Sequence, residues 1–479
     1  MSDPFSLLSF AVAAGGGTLD DIETQQWVAA GHMLLTRSAP LVRTLARGRS
    51  AILLPPGGPF LTAIAASDGR GAVLINPLAS RPEIVRQLRD AGVTVGLTNL
   101  VHSASLPDGF ARVLLDEAPL RARVLIGDRD QSVDLGNHFG LDIEGNIDAP
   151  GLDEEALIVY TSAMAGTPLG AVLTHGNILA NARASAEAMG DESRDHCLAT
   201  LPFAHLFGFV VCTCSPLLLG GRVTTMDRFH AARALDIFEQ QAVTRFMGVP
   251  SMYAALLNAL QKRGSRQLYR HKLRLCFVGG APVSEQLQDA WFDATGVELR
   301  QGYGLTEAAP AALLTRFDTA NERGAMGVAL RDTQVTIRDP QSGAELRDGS
   351  VGEICVRGPH VFRGYVSAGE NGLQLRDGWL RTGDLGARHF NGSVQFRGLI
   401  KPMFTRNGFN IYPREIEAAF LRMPGVQRAK AWGIPEATKE HDVAARVQGN
   451  VSESDVRKWA QQELAAYKIP THIEVGDVG

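Results

Sequence analysis

Short, mostly apolar, strand-like runs separated by stretches of helical periodicity leave few folds open to this chain of 479 residues. Ala51–Leu54, Ala72–Ile75 and Val93–Leu97 flank helical stretches such as Arg81–Ala91. The pattern resumes with Cys197–Leu201, Thr244–Val249 and Leu273–Val278, and with helices over Pro250–Lys262 and Val283–Ala294. A strand without polar alternation is buried on both faces, so this order predicts parallel sheets covered by crossover helices. Pro55-Pro56-Gly57-Gly58 and Asn76-Pro77 supply turns. Ahead of them one amphipathic helix is expected over Asp20–Arg47, interrupted or bent around Gly31. Nothing in the first hundred or so residues suggests chemistry.

A chain of this length calls for two to four domains. Beyond Gly327 the texture changes to short alternating strands, Gln334–Arg338, Gly352–Arg357 and Ser393–Arg397, joined by Gly/Asp-rich turns. The last 80 or so residues read as a small α+β unit. The expected division is an α/β body over 1–398, its β-rich part at about 328–398, and a small mobile domain over 399–479. A net charge of −4 gives no general field for nucleic acid or anionic lipid, so any anion site must be local. The five cysteines lie mostly in apolar runs, as reduced core thiols do, which places the chain in the cytoplasm. Cys212 and Cys214 lack a second Cys/His pair at zinc spacing. The apolar run Leu7–Ala14 is far shorter than the roughly 20 residues of a membrane span.

Candidate chemistry begins at Ala156–Asn177, read as strand, loop and helix. The strand is Ala156–Tyr160, and the helix starts near Gly176. Thr161, Ser162, Gly166 and Gly170 belong to a loop of small and hydroxyl residues that can turn several N–H groups toward one phosphate. No Gly-Lys-Ser/Thr closes it, so it is not a Walker loop. His205, at the mouth of an apolar segment, suits either a satisfied core position or a site wall. Gly279-Gly280-Ala281-Pro282 follows a strand, where open α/β sheets place ligands, and suits a tight turn equally. Leu299–Glu307 is more specific. Gly302 and Gly304 flank Tyr303, so a flat base can stack on the ring, and Thr306 and Glu307 offer the oxygen ligands that Mg²⁺ prefers. In Thr382-Gly383-Asp384, the carboxylate can accept two hydrogen bonds from a vicinal diol.

In this order the segments resemble the adenylate-forming superfamily of acyl- and aryl-CoA ligases, luciferases and peptide-synthetase adenylation domains. Tyr160, Thr161, Ser162, Gly166, Pro168, Gly170 and Val172 match its phosphate loop. Gly302-Tyr303-Gly304-x-Thr306-Glu307 is intact, and Asn407–Glu417 matches the motif after the hinge. The resemblance runs from about residue 20 to 475. It implies ATP/AMP, Mg²⁺ held by Glu307, and CoA or the phosphopantetheine of a carrier protein. It also implies adenine near Gly280, Ala281 and Tyr303, ribose on Asp384, catalytic roles for Thr306, Glu307 and His205, a hinge at Lys401 and a thiol channel along Gly408. The partners are then a small carboxylic acid and CoA or an acyl carrier protein, with no nucleic acid and no membrane span. Where the amino-acid-activating branch places an Asp for the substrate amine this chain has none, so an acyl or aryl acid is expected. Its pocket is expected at His205, Phe207, Tyr253 and Gly304, with Arg245 near enough in sequence to keep dicarboxylates open.

The departures concern charge. Ala163, Met164, Ala165 and Leu169 replace a glycine, two hydroxyls and a lysine of the loop, Leu399 replaces a ribose-binding arginine, and the recorded chain stops at Gly479, short of the family's C-terminal lysine. Adenylation works mainly by stabilising phosphate charge, and one lost donor costs about 3 kcal/mol. Two readings follow: an acyl-activating ligase, weak in adenylation, or an impaired relative that binds AMP, acyl adenylate or acyl-CoA as a sensor. Pro402, beside Lys401, is expected to restrict the swing of the small domain.

Overall fold

The computed structural model describes residues 8–68, 71–116, 121–135, 151–161, 168–367, 374–400, 403–436 and 440–478. Ser162, Gly166, Lys401 and Pro402 lie outside them, as do the three loop substitutions at 163–165. Two nine-stranded sheets form the body. In the first, Arg49–Leu53 lies between Ala72–Leu74 and Val93–Thr98, all parallel, and Ala72–Leu74 is followed outward by Glu155–Thr161. In the second, Arg222–Thr225, His196–Ala199, Arg245–Gly248, Leu275–Val278 and Leu299–Gly304 run parallel. Burial on both faces of central strands such as Ala72–Leu74 and Leu275–Val278 explains their apolar runs.

The third sheet is antiparallel, with Gln334–Arg338, Gly352–Arg357, Trp379–Arg388 and Val394–Leu399 in succession. C-terminal to it, Val426–Glu436, Glu440–Gly449 and His472–Val475 form a three-stranded sheet. Helices Pro413–Leu421 and Glu453–Glu463 pack there around Ile416, Phe420, Val443, Val456 and Ala460, a core of its own. No helix among the described residues is long and apolar enough to cross a membrane.

Several local expectations change. The N-terminal helix is two helices, Thr24–Arg37 and Ala39–Leu45, and the break lies at Ser38, whose hydroxyl accepts from Leu41 N and caps the second. Gly31 stays inside the first helix, where its missing side chain permits close packing: a Cβ there would lie 2.4 Å from Thr62 O. The segment expected as loop up to the helix near Gly176 holds a strand: Leu169–Thr174 returns antiparallel along Glu155–Thr161. Helix His175–Met189 follows, its Thr174 and Asn177 side chains forming a capping box. Ala111–Asp116, Arg121–Ile126 and Arg129–Asp134 add a meander to the first sheet. The apolar stretch after His205 is a π-helix over Phe207–Cys214, a geometry that recurs beside functional sites.

Candidate active site

The strands of the second sheet point their carboxyl ends at a cavity of about 390 Å³, which the first sheet, the third sheet and the small domain close from the other sides. Thr161, His205, Gly280, Ala281, Gly302, Tyr303, Gly304, Thr306, Glu307, Asp384 and Gly408 all border it, as do Phe207, Leu169 and Leu399. Residues from seven separate chain segments thus meet in one space, and strand order is what brings them there.

Tyr303 is the last residue but one of Leu299–Gly304, and its hydroxyl donates to Asp384 Oδ2 at 2.6 Å. Burial pushes the Asp384 carboxyl up to about 6. Across the strand pair, the residue opposite Asp384 is Leu399, so the position that could have supplied a cation supplies a methyl-bearing side chain. Glu353 shapes the turn before Asp384: its Oε1 accepts from Gly383 N at 3.0 Å while Arg381 pairs with its other oxygen. Glu307 lies in the one-turn helix Thr306–Ala308. Its Oε1 accepts from the Tyr365 hydroxyl at 2.7 Å, and burial raises its carboxyl above the usual range despite that bond.

The opposite wall is aromatic and apolar. Phe207, Val249, Met252 and Leu305 line it. The His205 ring is enclosed by protein but open to the cavity, and burial, helped by the charge on Lys468, keeps its imidazole below the ordinary value and hence neutral. Phe409 of the small domain faces it with ring centroids 5.9 Å apart and stacks on Tyr467 at 4.2 Å. Gly408, with φ +78°, rests against Val249, and a Cβ there would lie 2.6 Å from Val249 Cγ2. This close approach needs glycine twice over, for its backbone angle and for its missing side chain.

Tyr253 is not part of this wall. It is fully buried one layer behind, its hydroxyl donating to Phe246 O and Phe277 O and its ring packed edge-on against Trp291. Arg245 is also withdrawn from the site. It is wholly buried and ion-paired with Asp191 at 2.6 Å, so it offers no charge to a substrate.

Other residues were invisible to motif reading. Asn76, Glu83 and Gln87 come from the supposedly silent N-terminal part, and Tyr365, Gln374, Tyr467 and Lys468 from further on. The signal for Glu83 was local: Ser80 and Glu83 form a capping box at the start of Arg81–Asp90, which fixes where the carboxylate projects. Lys468 stood in Tyr467-Lys468-Ile469-Pro470, a stretch that served only as a landmark. Among the described residues bordering the cavity it is the one full cation.

The donor set suits Mg²⁺ in its sparing mode of binding, by one or two carboxylates together with substrate phosphates. Glu307 Oε1 already accepts from Tyr365, leaving its other oxygen for such a cation beside the Thr306 hydroxyl. No group of three or more potential metal ligands occurs among the described residues.

Residues 46–366 match the AMP-binding enzyme family, and residues 415–478 match the C-terminal domain of those enzymes. The chain belongs to the AMP-binding enzyme family. Feruloyl-CoA synthase from an Amycolatopsis species is 34% identical over 438 residues, covering 90% of this chain and 85% of its own. 4-Coumarate–CoA ligase 1 of Oryza sativa subsp. japonica is 28% identical, covering 90% and 79%. Among solved structures, o-succinylbenzoate CoA synthetase from Bacillus subtilis superposes with a TM-score of 0.78 at 23% identity, over 95% of this chain and 90% of its own. The protein is accordingly an acid–thiol ligase of the acyl-CoA synthetase type, which activates a carboxylic acid with ATP through an acyl adenylate and transfers the acyl group to CoA.

Proposed function

We propose that the acid is apolar and aromatic, of the class named by the feruloyl- and 4-coumaroyl-activating relatives. The observation that carries this is the cavity wall of Phe207, Val249, Met252, Leu305 and neutral His205, with Arg245 locked in the core and no uncommitted cation for a second carboxylate among the described residues. A planar ring fits such a wall by stacking and area burial, whereas a second carboxylate would be desolvated without a partner.

In this reading Tyr303 stacks on adenine beside Gly280 and Ala281, Asp384 accepts from the ribose hydroxyls, and Thr161 with Ser162 and Gly166 faces the phosphates. Thr306 orients a phosphate oxygen, and Glu307 holds Mg²⁺, which when bound supplies charge neutralisation on the phosphates. His205 positions the acid and, being neutral, does not compete for its carboxylate. Residues 399–479 act as a mobile small domain hinged at Lys401, with Gly408 bordering the path of the incoming thiol. CoA is the acceptor, a carrier-protein phosphopantetheine the alternative one, and the buried thiols of all five cysteines support work in the reducing cytoplasm.

The test is thioester formation with CoA across ferulate, 4-coumarate, benzoate, medium-chain fatty acids and malonate. Hydroxycinnamates or benzoate turned over in preference to malonate is the expected result. Preference for malonate would overturn the substrate assignment.

A further inference from the structure

Lys468 stands where three parts of the chain meet. Its ammonium donates to Glu83 Oε1 at 2.8 Å, on helix Arg81–Asp90 of the body, and to Glu415 Oε1 at 2.5 Å, in the first turn of helix Pro413–Leu421. All three side chains are buried: Lys468 is 6% exposed, Glu83 4% and Glu415 5%. Two shallower contacts join the same surfaces, Ser80 Oγ to Glu463 O at 2.8 Å and Arg86 to Glu463 at 3.0 Å.

One ammonium between two carboxylates leaves the cluster one negative charge in excess, and Glu415 Oε2 is buried without a partner. Burying such a group is a poor way to gain stability, since well-packed apolar residues hold an interface as firmly. Its effect is selectivity of pose: Glu83 belongs to the body and Lys468 to the small domain, so any displacement of the small domain breaks their ion pair. The pose so selected is the one in which Phe404–Arg406 and Phe409–Ile411 carry Gly408 onto Val249 and Phe409 to His205. Among the described residues this pose delivers no uncommitted cation to the cavity, so it serves poorly for a step that must offset phosphate charge. It suits the attack of a thiol on an acyl adenylate already in place.

We infer that Lys468 is a positioning residue for thioester formation, its ion pair with Glu83 pinning the small domain in the thiol-transfer pose. This rests on the ligase activity above. In the pinned step the thiol sulfur bonds to the acyl carbon, the acyl–phosphate C–O bond breaks, AMP leaves with the electron pair, and the thiol proton passes to water.

Glu83→Gln in the full chain is the cleanest variant, because glutamine caps a helix as glutamate does and leaves the small domain untouched. Lys468→Met, which strands two buried carboxylates, and Lys468→Arg, which keeps the charge, complete the set. Three readouts are taken: thioester formation from synthetic feruloyl adenylate and CoA, pyrophosphate release from ATP and ferulate, and the rate of proteolysis between Leu399 and Phe404. Thioester formation is expected to fall about tenfold in Glu83→Gln, further in Lys468→Met, and to recover in part in Lys468→Arg, while pyrophosphate release stays within about twofold and proteolysis accelerates. Equal losses in both half-reactions, or unchanged thioester formation and proteolysis in Glu83→Gln, would overturn the inference. If the unsubstituted chain makes no thioester from any adenylate, the ligase reading fails, and the pin is judged on the proteolysis rates alone.

Discussion

Asp384 and Leu399 face each other across two strands. With no cation opposite, burial raises Asp384 to about 6 from its ordinary 3.8. Between those values the folded state binds more protons than the unfolded one, so the contribution of Asp384 to stability declines as pH rises through this window. Ribose hydroxyls donate to the ionised form, so binding has the opposite sign. Adenosine, which carries no phosphate to titrate, should bind more weakly as pH falls below about 6, as calorimetry at pH 5 and 7.5 would show. Asp384→Ala should abolish this pH dependence and weaken adenosine binding about tenfold or more. Leu399→Arg should place a guanidinium beside the carboxylate, lower its pKa and tighten AMP binding by about tenfold. An unchanged AMP affinity in Leu399→Arg would show that the ribose does not lie on Asp384.

The parallel strands were largely legible in the sequence because burial on both faces leaves an apolar run, as at Ala72–Leu74 and Leu275–Val278. Leu169–Thr174 was not, since a short segment between a glycine-containing loop and a capped helix reads equally well as more loop, and only pairing with Glu155–Thr161 decides. The glycine-rich strings of the site were readable for a similar reason: close approach demands residues without a Cβ. Long-range partners such as Tyr365 for Glu307 and Glu83 for Lys468 leave no local pattern, and Tyr253 was misplaced because one helix carries both cavity-facing Met252 and a core-facing neighbour. Two element-scale predictions follow from packing. Gly408→Ala forces a left-handed backbone on a residue with a Cβ and drives it into Val249, so thioester formation should fall by about tenfold or more while AMP binding holds. Arg245→Met leaves Asp191 buried without its cation and should lower urea-unfolding stability of the body by about 3–5 kcal/mol. A loss below about 1 kcal/mol would mean that Asp191, whose burial lifts its carboxyl to about 6, accepts a proton instead.

At the scale of the whole molecule, three sheets and a small domain border a shared cavity that Glu307 and Asp384 line together with Phe207, Val249 and Met252. The described part of the cavity is poor in cations, so in the proposed function the offsetting of phosphate charge falls to backbone N–H groups and Mg²⁺. Adenylation should therefore depend steeply on Mg²⁺, and excess chelator should reduce pyrophosphate release to background while leaving adenosine binding intact. The central claim, that the chain is a ligase for an aromatic acid, is tested most directly by incubating it with ATP, Mg²⁺, CoA and ferulate and following the products by mass spectrometry. The account predicts feruloyl-CoA together with stoichiometric AMP, at a rate exceeding that with malonate. Neither feruloyl-CoA nor the thioester of any other aromatic acid, from a chain that binds AMP, would contradict it.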